Sequence, residues 1–256
     1  MRTLIAFTKK EFTQQLRSGR LLMLGILFFL FGVMNPAVAK LTPWLLELMA
    51  DSLAESGMTV TDVTVSAMDS WVQFFKNVPM ALIAFVLLEG SIFTKEYASG
   101  TLVLSLTKGL ERFKVVLAKA SVLLLLWTGG YWLCALITYG YNAYFWDNSI
   151  AQSLGFSLIC WWLFGLFTLS LTILFSTLAT ANTGVLLGTG GVILLSYLVG
   201  MIPKIDVYLP TALTGGTGLI YGTVEARELI PAVIVAAVIT LAALGASIPL
   251  FDKKQL

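Results

Sequence analysis

Six apolar runs take up most of this 256-residue chain, at about 21–38, 78–94, 120–140, 154–178, 183–202 and 231–250. Each is close to the ~20 residues that an α-helix needs to cross a hydrocarbon layer about 30 Å thick. Hydrocarbon offers the backbone no hydrogen bonds, so each run has to satisfy its own N–H and C=O groups, as a helix does. Composition agrees: 12% of the residues are charged and mean hydropathy is +0.89, where a soluble domain carries about 25% charge. The runs predict an all-α integral membrane protein with six transmembrane helices and no separate soluble domain.

The remaining charges are sorted by side. With six spans and both ends on one side, that side holds 12 of the 16 Lys and Arg residues and the other holds four. Acidic residues run the opposite way, four against nine, with Glu89 inside a span. Positive charge is retained in the cytoplasm, so a multi-pass protein of the cell membrane with N and C termini cytoplasmic is expected. In residues 1–20, Leu4, Ile5, Thr8, Phe12 and Leu16 recur at three- and four-residue steps, with Lys9, Lys10, Gln14 and Arg17 on other faces. That pattern predicts an amphipathic interfacial helix, its basic face toward anionic lipid. Ala37-Val38-Ala39 in the first span has the small-x-small form of a signal cleavage site. A leading region of about 20 amphipathic residues favours a retained helix instead.

Segment 95–119 is the basic connection between the second and third spans, with Lys95, Lys108, Arg112, Lys114 and Lys119 against Glu96 and Glu111. Glu96 to Leu106 is expected to form a short helix with Leu102, Leu104 and Leu106 partly exposed, an apolar surface for another protein. The outer segments differ. Segment 40–77 carries Glu47, Asp51, Glu55, Asp62 and Asp69, and its stripe of Leu41, Trp44, Leu45, Leu48 and Met49 predicts a short helix at the outer mouth. Segment 203–230 is broken by Pro and Gly yet apolar, which suggests a re-entrant or lid-like element.

Candidate chemistry inside the spans is sparse. Glu89 lies six residues before Lys95; a mid-membrane carboxylate costs roughly 2.5–3.5 kcal/mol to insert, so pairing with a nearby cation and a gating role both fit it. Phe156, Trp161, Trp162 and Phe164 form a dense aromatic group in the fourth span, able to line a path for a greasy molecule or simply to pack. Gly184 and Gly188 make a small-residue step that permits close helix approach. Cys134 and Cys160 fall inside apolar runs and read as buried thiols. There is no histidine, which removes His-based metal sites and Ser-His triads. The Thr211–Gly218 stretch TALTGGTG lacks the Gly-Lys-Ser/Thr of a phosphate loop. A transport role, with no metal and no nucleic acid, fits better than an enzyme.

The order Glu96-Tyr97-Ala98-Ser99-Gly100-Thr101-Leu102, followed by Leu104, Leu106, Arg112 and Lys119, resembles the cytoplasmic signature of ABC type-2 exporter permeases. Those show E-x-x-x-G-T-L with leucines, then P-x-S/T-R, then a Lys entering the next span. Here Lys108-Gly109-Leu110-Glu111-Arg112 replaces the usual Pro and Ser, so the turn into the third span is expected to differ. The plan of an amphipathic first helix, six spans and an apolar outer segment is similar too, as is Tyr208-Leu209-Pro210 after the fifth span.

The resemblance implies a single permease domain over 1–256, a second permease copy (identical or paired), and two cytoplasmic ABC ATPase subunits that bind ATP and Mg. It assigns ATPase coupling to Glu96, Gly100, Thr101, Leu102, Leu104 and Arg112. Spans without much buried charge suit an amphipathic or hydrophobic cargo, first a peptide, second a drug or lipid-like molecule. A proton-coupled secondary transporter using Glu89 is the alternative.

Overall fold

A computed structural model describes residues 2–50, 64–107 and 109–254. Asp51, Glu55, Asp62 and Lys108 lie outside the described residues. The chain is helical: α1 (Arg2–Arg17), α2 (Arg20–Leu48), α3 (Ala67–Glu89), α4 (Thr94–Ser99), α5 (Thr101–Thr107), α6 (Arg112–Phe145), α7 (Leu154–Leu178), α8 (Asn182–Val199), α9 (Gly216–Ile220) and α10 (Ile230–Asp252). Among the described residues, six helical segments are long and apolar enough to cross a membrane, those built on α2, α3, α6, α7, α8 and α10.

Several helices outrun the apolar runs that announced them. α2 continues through Pro36 and Pro43 to Leu48, so the stripe of Leu41, Trp44 and Leu48 extends this helix instead of forming a separate one. Each proline removes one backbone bond, and the remaining ladder carries the helix on. α3 starts at Ala67, where the Asp69 carboxylate accepts from the Ser66 N–H at 2.9 Å. That contact satisfies a backbone donor left over at the helix start.

α7 is the central helix, burying Trp161, Phe164, Phe167, Leu169 and Ile173 among others, whereas α8 buries Val185 and Thr189. Phe28 and Phe85 each meet the Trp127 ring edge to face, at 5.9 and 5.8 Å. In the half of the bundle away from α1, the Asn77 amide donates to Asn35 Oδ1 at 2.8 Å and Asn35 donates to Thr138 Oγ1 at 3.0 Å. This buried chain pins α3, α2 and α6 together. Cys134 and Cys160 are free and buried. Gly188 admits the Phe175 ring of the same chain, and an added Cβ would lie 2.4 Å from it. The small-residue step therefore serves packing of α8 on α7.

The segment before α10 folds back into the bundle. Leu213, Leu219 and Ile220 are completely buried, and carbonyls of Thr214 and Gly216 accept from Trp161 Nε1 and Ser157 Oγ, both at 3.1 Å. Its broken backbone is thus satisfied by polar atoms of α7, the condition for irregular chain at membrane depth.

Candidate functional site

The end of the bundle that carries α1, α4 and α5 holds four charges in a ring. Lys119, on α6, is 1% exposed. Its Nζ donates to Glu11 Oε2 at 2.8 Å and to the Ile92 carbonyl at 3.2 Å, and lies 3.0 Å from Glu96 Oε2. Lys10 closes the ring from outside, at 2.8 Å from Glu11 Oε1 and 3.1 Å from Glu96 Oε1. Each carboxylate therefore meets both ammonium groups, which offsets the desolvation of ions at this depth. Burial opposes ionisation of Glu11, but Lys119 and Lys10 outweigh it and hold its carboxyl below the usual range. Burial likewise pulls Lys10 down, and its bonds to Glu11 and Glu96 more than restore it, leaving it raised.

This ring revises the expected orientation of α1. The helix buries Phe7, Glu11 and Gln15, one face at four-residue steps, while Ile5, Phe12 and Leu16 are exposed. Its inward stripe carries the partners that Lys119, Glu96 and Glu89 require. Sequence periodicity tracks apolar residues and so missed Glu11 and Gln15; their spacing with Phe7 was the available signal.

Glu89 is completely buried at the end of α3. Gln15 Nε2 donates to its Oε2 at 2.7 Å and Arg20 Nη1 lies at 3.7 Å from the same oxygen. The cation that pairs with it comes from the start of α2.

The residues expected in the coupling segment divide into two sets. Gly100, at φ 68°, ends α4 in the left-handed conformation that glycine adopts without strain. Thr101 is exposed at the start of α5, its Oγ1 2.9 Å from Ser99 Oγ. Leu102, expected to be partly exposed, is 1% exposed: α5 turns it into the bundle and presents Val103, 40% exposed, instead. Leu104 lies in α5, and its side chain falls outside the described residues. Arg112 is engaged within the chain, its Nη1 donating to the carbonyls of Phe251, Asp252 and Lys254 at 2.9, 3.1 and 2.7 Å. It ties the start of α6 to the end of α10, where the last carbonyls of a helix lack partners.

An apolar cleft of about 330 Å³ opens between α3, α7 and α8, with Pro79, Leu82, Val86, Phe164, Thr189 and Ile193 in its wall. Of the four aromatics expected to line a path, Trp161 and Phe164 lie in this wall. Phe156 and Trp162 do not: Trp162 packs toward α6, its Nε1 donating to Thr128 Oγ1 at 3.1 Å, and Phe156 is packed against the core. Two of the cleft's wall residues hold the segment before α10: Trp161 Nε1 donates to the Thr214 carbonyl and Tyr197 Oη to Thr214 Oγ1 at 3.2 Å.

Neither curated proteins nor solved structures gave a match to this chain. A family model described as ABC-2 family transporter protein matches residues 5–214, a stretch that runs from α1 through the first five of the six membrane-capable helices. With six membrane-capable helices in that arrangement, this chain belongs to the ABC-2 transporter family and is a multi-pass membrane permease of that kind.

Proposed function

We propose that this chain is the membrane half of an ATP-driven exporter, with both termini and α4–α5 in the cytoplasm. ATP and Mg would be bound by a pair of partner ABC ATPase subunits, and a second permease copy would complete the membrane domain. The cargo is amphipathic or hydrophobic, a peptide or a drug- or lipid-like molecule.

The observation that carries this reading is the continuity from α5 to the cleft. α5 follows α4 directly, and α4 is linked through Glu96 to the charge ring on α1 and α6. α3, which leads into α4, supplies Pro79, Leu82 and Val86 to the cleft wall. A push on α5 thus reaches the cleft through short rigid elements and ion pairs, without a flexible linker.

The test is co-purification with ABC ATPases encoded beside it, with ATP hydrolysis measured in the complex. Val103→Asp, on the exposed face of α5, is expected to abolish ATPase binding while the bundle stays folded. Leu102→Asp is unsuitable because that side chain is buried. Failure of every candidate ATPase to bind would sink the reading. A second reading, proton-coupled transport, rests on Glu89 Oε1, which has no hydrogen-bond partner among the described residues. It requires uptake or efflux driven by a proton gradient alone and abolished in Glu89→Gln.

A further inference from the structure

A second cleft, of about 690 Å³, lies at the basic end of the bundle, directly below the apolar one. Its wall includes Arg20, Lys95, Ser91, Thr94 and the Thr180–Asn182 turn. Ser91 and Thr94 are 7% and 5% exposed, and their hydroxyls make no hydrogen bond among the described residues. Lys95 is exposed and makes no ion pair among the described residues. The acidic groups nearby are already engaged, Glu89 with Gln15 and Arg20 and Glu96 in the charge ring. The cleft thus presents an ammonium that makes no ion pair but lies in the field of Glu89, a guanidinium shared with one carboxylate, and two hydroxyls without a hydrogen bond among the described residues.

The two clefts meet. Leu87 lines both of them, and at their junction α3 and α8 approach so closely that a Cβ on Gly90 would lie 3.3 Å from Asn182 Oδ1 and 3.4 Å from Leu186 Cδ2. The two clefts therefore adjoin along the α3–α8 seam, the lower one cationic and hydroxyl-bearing and the upper one apolar. That polarity matches a molecule with an anionic head and a hydrocarbon tail, oriented as in the leaflet at the basic end of the bundle. Phosphate or carboxylate oxygens would accept from Lys95, Ser91 and Thr94, and the tail would lie against Leu82, Phe164 and Ile193.

We propose that this groove binds a single-chain anionic amphiphile drawn from the inner leaflet. Resting on the exporter reading above, this is the class of cargo the permease takes. A cationic peptide is disfavoured by Lys95 and Arg20 at the lower end.

The test uses the full chain purified in a maltoside detergent, without any ATPase, so its outcome is independent of whether an ATPase is found. Palmitoyl lysophosphatidylglycerol and palmitoyl lysophosphatidylcholine, which share a tail, are compared by native mass spectrometry. They are also compared by competition against a nitroxide-labelled analogue that quenches tryptophan. The anionic lipid is expected to bind about tenfold tighter. Lys95→Gln is expected to bring the two within about twofold, while Ile193→Trp, filling the upper end, weakens both about equally. Equal affinity in the wild type, or an upper end whose filling changes nothing, overturns the groove. Once an ATPase is in hand, binding without stimulation of ATP hydrolysis overturns the cargo assignment and leaves a resident lipid.

Discussion

Lys119 Nζ sits 3.0 Å from Glu96 Oε2, and both side chains are withdrawn from solvent. Lys119 belongs to a helix that spans the membrane, and Glu96 to the short helix next to α5. Their contact, shared with Glu11, couples three elements that the chain places far apart: α1, α4 and α6. Breaking a buried pair by removing one partner leaves an uncompensated ion, at a cost of about 3–5 kcal/mol.

Lys119→Ala is therefore expected to lower stability by an amount of that order, read as loss of thermal stability in detergent. In a double-mutant cycle with Glu96→Ala the two losses should fall short of additivity by about 0.5–3 kcal/mol. Additive losses would mean that the two groups do not interact.

Docking of α1 should weaken in acid. The Glu11 carboxyl is held below the ordinary carboxylate value of about 4.5 by Lys119 and Lys10 in spite of its burial. A carboxylate whose pKa is depressed by folding contributes stability above the unfolded value and loses it as pH falls through the folded one. Hydrogen exchange in residues 2–17, taken relative to the intrinsic rate at each pH, should thus be flat at neutral pH and rise as pH drops below about 4.5. Glu11→Gln should remove that acid-induced rise.

Among the described glycines, Gly165 leaves the least room for a side chain. An added Cβ would lie 2.1 Å from the Trp127 ring, and Trp127 is fully buried with Nε1 bonded to the Trp162 carbonyl. Gly165→Ala is expected to cost about 1–3 kcal/mol through overpacking. Gly129→Ala, where nothing lies within 4 Å, should be neutral or stabilising by up to ~1 kcal/mol. Thermal melts of the two variants would separate these effects, and equal melting temperatures would refute the packing argument.

Arg112→Ala should free the end of α10. Three carbonyls lose the Arg112 guanidinium together, Phe251 keeping its backbone donor, and a side-chain hydrogen bond involving a charged group is worth about 1.5–3 kcal/mol. Faster exchange of residues 248–254, with the core unchanged, is the expected signature. Arg112→Lys should restore it only in part, because an ammonium on a flexible stem lacks the planar fork of a guanidinium.

What the sequence by itself determined is the set of properties governed by local composition. Run length and the missing charges dictated membrane helices, because backbone groups in hydrocarbon have to be satisfied within one segment. The Glu96–Leu102 motif placed the chain in its family. Pattern also located Trp161 and Phe164, since aromatics that dense in one span have to pack or line something. Tertiary structure alone decided which charges meet. Lys119 and Glu11 are 108 residues apart, and neither has a local signal that the other completes its site. It also decided that Leu102 turns inward while Val103 faces out, because the side of a seven-residue helix that faces the bundle depends on the angle set at Gly100. The cleft is of the same kind. Its wall is drawn from three helices, and its volume is set by how closely α3 and α8 approach, which no single stretch of chain encodes.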